Sequence, residues 1–388
     1  MNSASLIAFW LPVFLICYTY FLYPLCLLAA PYFVSNRYDA KKVVPFEYGQ
    51  LPSVGIVISA YNEELHIRDR VKNLLELNYP KEKLKIYIGL DGCSDQTYSN
   101  ISDISDERLC VLDFEENRGK ASVLNDLVGR VTEEIIVFSD ANTEFRSDNI
   151  RSLVKHFQEP SVGVICGELD LLEPSTGKNS DSLYWRIERF MKMQEGIIGG
   201  LLGANGANYA IRRNLYEPIP ANTIVDDFYI VMKVADSGYR VVYEPEAKAS
   251  EETAPDEYGE FMRRVRIGKG NYQAFFRLWK FLSPLKGRYF FTYMSHKVLR
   301  WFAPHLFIVA LLANFALAKD SGLYLVLLLP HLMLYAVSWF VFKAKDRDKI
   351  PKLLRLPAYI MILNAAFLIA FYKTFSESSS GSWVRTDR

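Results

Sequence analysis

Residues 135–145 read IIVFSDANTEF, and the fold turns on how this stretch is read. Four β-favouring residues, Ile135 to Phe138, break off abruptly into Ser139-Asp140-Ala141-Asn142. An uninterrupted apolar run followed at once by polar residues predicts a buried strand that delivers Asp140 and Asn142 to its carboxyl end. A turn accounts for the same two residues, because Asp and Asn bond readily to their own backbone. What surrounds the stretch has to separate the two readings.

From Pro52 to residue 250, short apolar runs alternate with helical patterns. Strands are expected at Val54–Ser59, Leu84–Leu90, Arg108–Phe114, Glu134–Ser139 and Val162–Cys166, and helices at Asn62–Leu77, Lys120–Val131 and Asp148–Phe157. Such alternation predicts an α/β domain with a mainly parallel sheet and right-handed crossovers. Ligands of such sheets bind beyond the carboxyl ends of the strands. The first expected strand is followed by Ala60-Tyr61-Asn62-Glu63-Glu64, the second by Asp91-Gly92-Cys93-Ser94-Asp95, and the fourth by Asp140-Ala141-Asn142. Asn117-Arg118-Gly119-Lys120 opens a helix between them. Carboxylates therefore gather at one edge, with a lysine and a helix N-terminus nearby. Uncompensated carboxylates are costly, so a cation is expected there. Oxygen ligands indicate Mg²⁺ or Mn²⁺, which characteristically bridge a few protein oxygens to a diphosphate. The glycine fingerprint of dinucleotide enzymes is missing after the first strand, and no Walker lysine loop occurs, which argues against redox and ATP-driven chemistry.

The rest of the chain is apolar for a soluble protein: half of its 388 residues are hydrophobic and only 23% are charged. Leu6 to Val34 carry no charge, a run longer than the about 20 residues that cross a bilayer. The first basic residues, Arg37, Lys41 and Lys42, follow it and predict that the next domain is cytoplasmic. Further apolar segments lie at 301–318, 322–342 and 356–372, and the loop after the second carries Lys343, Lys345, Arg347, Lys349, Lys352 and Arg355. That loop also reads as cytoplasmic, and counting segments places the C-terminus outside. Residues 261–300 hold ten basic side chains and no acidic one, interleaved with Phe275, Phe276, Trp279, Phe281, Tyr289 and Phe290. This composition suits an amphipathic surface on anionic lipid head groups, and no nucleic-acid partner is expected. Trp301 reads as an interfacial anchor. Five scattered cysteines suit a reducing compartment without a disulfide framework. The expected organisation is an N-terminal membrane helix (1–36), a catalytic domain (50–255), interface helices (256–300), about three membrane helices (301–375) and a tail (376–388).

The order ISAYNEE, LDGCSDQT, NRGKASVLN, FSDANTEF, GANGANYAIRR, VDDFYIVMKVADSGYRVVYEP and RRVRIGKGN resembles the membrane-bound family 2 glycosyltransferases, the group of hyaluronan, chitin-oligosaccharide, poly-N-acetylglucosamine and cellulose synthases. The resemblance covers roughly residues 50–275 and implies a glycosyltransferase-A fold, a nucleotide-sugar donor, a divalent metal and inversion at the anomeric carbon. Carried across, it implies that Ala60, Tyr61 and Glu63 line the nucleoside pocket, that Asp91 meets the uracil, and that Lys120 contacts the nucleotide. Asp140 and Asn142 match the Asp-x-Asp metal motif, with an amide in place of the second carboxylate. Asp226-Asp227 stands at the Thr-Glu-Asp motif, whose last aspartate is the general base; both acids also suit the first turn of a helix. Arg263 and Arg266 fall at the Gln-x-x-Arg-Trp motif, where arginine stabilises the leaving diphosphate, but Ile267 replaces the tryptophan of the processive members. Gly203-Ala204-Asn205-Gly206 is placed to let backbone approach a sugar. Trp383-Val384-Arg385-Thr386 resembles the Trp-Gly-Thr-Arg of hyaluronan synthases, and a real match would require a cytoplasmic tail.

The expectation is a membrane-embedded inverting transferase that extends a β-linked polysaccharide from a UDP-sugar. Two alternatives stay open: transfer of a single sugar to a lipid-linked acceptor, and an inactive nucleotide-sugar-binding subunit.

Overall fold

The computed structural model describes residues 3–34, 38, 43–172, 183–252, 257–344 and 350–377. In chain order its principal elements are α1 (Ser3–Cys17), α2 (Tyr23–Phe33), β1 (Val54–Ala60), α3 (Ile67–Leu75), β2 (Leu84–Asp91), β3 (Leu109–Phe114), α4 (Lys120–Val128), β4 (Ile135–Ser139), β5 (Thr143–Phe145), α5 (Asn149–Val154), β6 (Val162–Leu172), α6 (Leu183–Ile198), β7 (Tyr209–Arg212), α7 (Asp226–Asp236), β8 (Arg240–Glu252), α8 (Glu257–Arg277), α9 (Arg288–Thr292), α10 (Leu299–Ala318), α11 (Gly322–Lys343) and α12 (Lys352–Ser376). They form two compact units. The described residues of the sheet unit fall within Val34–Asp181 and Lys192–Pro255, and those of the helical unit within Met1–Phe33, Ser182–Met191 and Asp256–Ser378.

The sheet runs β3-β2-β1-β4-β7-β6-β8-β5. β1 lies parallel to both β2 and β4, and β2 parallel to β3. All seven residues of β1 and all five of β4 are buried, as their largely apolar sequences favour. The pairing Ala60↔Leu90 and Ile58↔Ser139 brings the carboxyl ends of β1, β2 and β4 to one edge. Tyr61, Asp91 and Asp140 emerge there together.

Every strand and helix expected between residues 54 and 166 is present, with shifted ends. The helix after β1 begins only at Ile67, because Asn62 adopts a left-handed backbone (φ 54°) and the loop behind it is held to the loop after β2. Asn is one of the few residues that accept that conformation. The sheet also contains antiparallel members: β7 runs against β4 and β6, and β5 against β8. β6 continues to Leu172, past a register shift after Gly167, pairing with β8 along a half-buried, partly charged stretch.

Among the described residues of the helical unit, four helical stretches are long and apolar enough to cross a membrane: Ser3–Phe33, Arg288–Ala318, Gly322–Lys343 and Leu353–Ser376. The second begins before the expected 301. α8 packs closely on α12, where a Cβ on Gly268 would come within 2.7 Å of the Ala370 methyl. Several charges of the basic stretch meet acids from outside it. Glu260 binds Arg263 at 2.8 Å and Arg264 at 2.7 Å, Lys269 lies 3.3 Å from Glu377, and Arg300 pairs with Glu188. Trp301 is only 3% exposed and packs edge-on against Tyr293, so it is an interior residue and not an interfacial anchor. The Trp383–Thr386 stretch and the basic residues Arg37, Lys41, Lys42, Lys345, Arg347 and Lys349 lie outside the described residues.

Candidate active site

β4 ends at Ser139, and Asp140 follows as the strand opens into a turn. The Asp140 carboxylate accepts a hydrogen bond from Lys120 Nζ at 2.7 Å, and the same ammonium lies 3.7 Å from Asp226 Oδ2. Lys120 is the first residue of α4, and Asp226 and Asp227 open α7. Three elements far apart in sequence thus converge on one ammonium. Burial disfavours the charged lysine, but the carboxylates of Asp140, Asp226 and Asp227 outweigh it and hold its pKa above the ordinary value. Lys120 therefore supplies part of the cationic compensation that the sequence predicts for this edge.

Asp227 is poorly compensated. Burial and the neighbouring Asp226 carboxylate push its pKa up to about 6, against the pull of Lys120 and of the Phe228 N–H, which donates to Asp227 Oδ1 at 2.7 Å. Its second oxygen faces the glycine loop. A Cβ on Gly206 would lie 3.2 Å from Asp227 Oδ2, and one on Gly203, whose φ is 71°, would lie 2.6 Å from the Phe228 ring. Only glycine lets this loop pass so close to the start of α7. Tyr209 lies beneath the cluster, fully buried and stacked on Phe138 with ring centroids 4.8 Å apart.

Asp91 is fully buried and anchors the loop that presents Lys120. Its two oxygens accept the N–H groups of Arg118 at 2.7 Å and Gly119 at 2.9 Å. Ala60 is buried at the end of β1. Tyr61 and Glu63 are half-buried, and the Glu63 N–H donates to Thr97 Oγ1 at 2.8 Å. Asn62 Oδ1 accepts the Ser94 N–H at 2.9 Å, lacing the loops after β1 and β2 into one wall. Arg263 and Arg266 lie on α8 of the helical unit, Arg263 in its ion pair with Glu260 and Arg266 exposed.

Three residues that the sequence reading missed support Asp140 and Asn142. Arg70, on the inner face of α3, donates to Ser139 Oγ at 2.7 Å, and Ser139 Oγ donates to the Ala207 carbonyl at 2.7 Å. The residue before Asp140 is thereby tied to the segment that follows the glycine loop. Burial lowers the Arg70 pKa to about 9, which leaves the side chain charged at neutral pH. Its signal was in the sequence: with Ile67, Val71 and Leu74 it occupies the buried stripe of α3, where an arginine needs a partner. The third is Glu251, near the end of β8, whose Oε1 accepts a hydrogen bond from Asn142 Nδ2 at 3.2 Å.

Among the described residues, no three His, Cys, Asp or Glu side chains group as a metal site. The donor set still fits a hard divalent cation that arrives with ligands of its own. Asp140 has a second carboxylate oxygen beyond the one facing Lys120, and Asn142 has its amide oxygen.

Comparison with known proteins gives a consistent picture. The family model described as "Glycosyl transferase family 2" matches residues 55–219. A poly-beta-1,6-N-acetyl-D-glucosamine synthase of Staphylococcus aureus (strain COL) is 26% identical over 291 residues, covering 72% of this chain and 70% of that protein. The synthase of the same name from Staphylococcus epidermidis is 23% identical over 384 residues, covering 92% of this chain and 93% of its own. Among solved structures, a mannosyltransferase from Pyrobaculum calidifontis in complex with GDP-mannose and Mn²⁺ superposes with a TM-score of 0.72 at 22% identity, over 95% of this chain and 99% of that one. That likeness establishes the glycosyltransferase-A-like fold.

Proposed function

We propose that the chain is a family 2 glycosyltransferase, an inverting enzyme that uses a cytoplasmic UDP-sugar to extend a β-linked polysaccharide, coupled to export through the four candidate membrane helices among its described residues. The observation that carries this reading is Asp227, a carboxylate pushed up to about 6 beside a close-packed glycine loop and a lysine–aspartate cluster. A base whose pKa lies near the working pH is the one that removes a proton most effectively in the transition state. The acceptor hydroxyl oxygen attacks the anomeric carbon, the sugar–phosphate bond breaks with its electrons on the diphosphate, and the hydroxyl proton passes to Asp227 Oδ2. Asp227 Oδ1 stays on the Phe228 N–H and fixes the side chain. Lys120 places a fixed positive charge beside Asp140, where the leaving diphosphate accumulates negative charge. On this reading Ala60, Tyr61 and Glu63 form the nucleoside end of the pocket, and Asp91 holds the Arg118–Gly119 loop beside it. Asp140 and Asn142 would hold Mg²⁺ or Mn²⁺, which when bound neutralises charge on the diphosphate.

The likeness to poly-beta-1,6-N-acetyl-D-glucosamine synthases over most of the chain supports polymer extension and makes UDP-N-acetylglucosamine the first donor to test. Ile267, standing where the processive members have tryptophan, favours the second reading, addition of one sugar to a lipid-linked acceptor. The test uses the full chain in nanodiscs with UDP-N-acetylglucosamine, UDP-glucose and GDP-mannose in turn. Release of UDP with a ladder of products supports the first reading, one added residue the second, and turnover of GDP-mannose alone overturns the UDP assignment. EDTA should abolish turnover. Arg266→Ala should lower turnover more than donor affinity, because the extra charge appears only in the transition state.

A further inference from the structure

The motif at Asp140 departs from Asp-x-Asp at one position, and the structure places a carboxylate against that position from another strand. β5 pairs antiparallel with β8, setting Thr143 opposite Glu251. Glu251 is 7% exposed, and its Oε1 takes the amide hydrogen of Asn142 at 3.2 Å. We propose that Glu251 is a positioning residue of the divalent-cation site, holding Asn142 by its amide nitrogen and returning the negative charge that the asparagine removes. This inference rests on the reading that Asp140 and Asn142 hold the cation.

Two consequences follow from one hydrogen bond. An amide whose nitrogen is committed to Glu251 presents its oxygen elsewhere, and that oxygen is the hard donor a Mg²⁺ or Mn²⁺ ion accepts. The charge count is also kept. Asp140 already meets the ammonium of Lys120, and Asn142 brings no charge of its own to the cation. Glu251 restores one unit within a hydrogen bond of the ligand. The exchange is matched: an aspartate at 142 would set two carboxylates against each other at this distance, which disfavours ionisation of both. An amide at 142 avoids that repulsion and donates to Glu251 instead. A partner that orients a metal ligand through its outer atoms commonly matters 10–100-fold for affinity.

Asn142→Asp rebuilds the Asp-x-Asp motif, yet it should weaken cation binding as long as Glu251 is present. Binding is read as loss of the free Mn²⁺ paramagnetic resonance signal, with and without UDP, on the full chain in nanodiscs. Glu251→Gln should weaken Mn²⁺ binding about 10–100-fold. The double variant Asn142→Asp/Glu251→Gln should recover wild-type affinity, because the new glutamine amide can donate to the new aspartate. Tighter binding by Asn142→Asp alone, unchanged binding by Glu251→Gln, or simple additivity in the double variant overturns the inference. Thermal melts identify a Glu251→Gln protein that has merely failed to fold, and Asn142→Asp then decides alone. Asp140→Ala separates the two levels. Wild-type Mn²⁺ binding by that variant removes the cation reading itself and this inference with it. Loss of binding there, with Glu251→Gln unaffected, removes only Glu251.

Discussion

Two carboxylates of the sheet unit, Glu244 and Asp227, both feel a nearby lysine, and their surroundings drive them in opposite directions. Glu244 on β8 is 2% exposed and meets His156 Nε2 at 2.5 Å, Lys155 Nζ at 2.7 Å and the Glu246 N–H at 2.9 Å. Burial opposes its ionisation, but these three partners outweigh burial and hold its carboxyl below the usual range. Asp227 has one backbone donor, stands beside another carboxylate, and shares its nearest ammonium with Asp140 and Asp226, so it is pushed up to about 6. Burial alone therefore does not mark a working residue. The number of donors per carboxylate does: a saturated group holds structure together, and an undersupplied one is ready to take a proton.

The comparison breaks most visibly in catalysis. Asp227→Asn keeps the size of the side chain and an oxygen for the Phe228 N–H, but it cannot accept a proton. Sugar transfer should fall about 10²–10⁴-fold, while UDP and Mn²⁺ affinity stay close to wild type. Glu244→Gln should leave turnover per folded molecule nearly intact. Equal losses in the two variants, measured as transfer alongside UDP titration, would remove the distinction.

Stability should respond with opposite signs and a smaller effect. The folded-state pKa of Asp227 lies above its ordinary 3.8, so the folded protein loses stability as pH rises from there through about 6. Asp227→Asn should accordingly raise the melting temperature at pH 8 and leave it nearly unchanged at pH 4. Glu244 is depressed below its ordinary 4.5, so its contribution is present above that value and lost as pH falls through the folded pKa. Glu244→Gln should cost about 1–3 kcal/mol at neutral pH by leaving buried donors unsatisfied, with the difference shrinking in acid. Melts of both variants at pH 4, 6 and 8 check the signs.

What was legible in the sequence follows the same division. β1, β2 and β4 declare themselves because strands buried on both faces are apolar along most of their length, and their polar successors mark the site. β5 has three residues and β8 alternates charge with apolar positions, so neither carries a strand signal comparable to its neighbours. Asp140, Asp226, Asp227 and Lys120 were each identifiable, Asp226 and Asp227 through the family resemblance. The sharing of one ammonium across 106 residues, from Lys120 to Asp226, exists only once α4 and α7 are set on the sheet. Glu251 was invisible for the same reason: its partner Asn142 lies in the turn before β5, and the pairing of β5 with β8 is not written in either segment alone.

The finest test addresses the coupling within the cluster. In the wild type, transfer should rise with pH through a midpoint near 6, because Asp227 works only when ionised. Asp226 raises that midpoint by its like charge, and Lys120 lowers it by its opposite charge. Asp226→Asn should therefore move the midpoint down, with a loss of transfer at pH 8 smaller than that of Asp227→Asn. Lys120→Gln should move it up, since the base then faces Asp226 and Asp140 without the shared ammonium. The two shifts have opposite signs although each substitution removes a charge from the same cluster, so general damage to the site cannot imitate the pattern. The measurement is kcat/KM against pH from 5 to 9 in the three proteins. A midpoint that stays at its wild-type position in both variants would mean that Asp227 does not set the profile, and the base would have to be sought elsewhere.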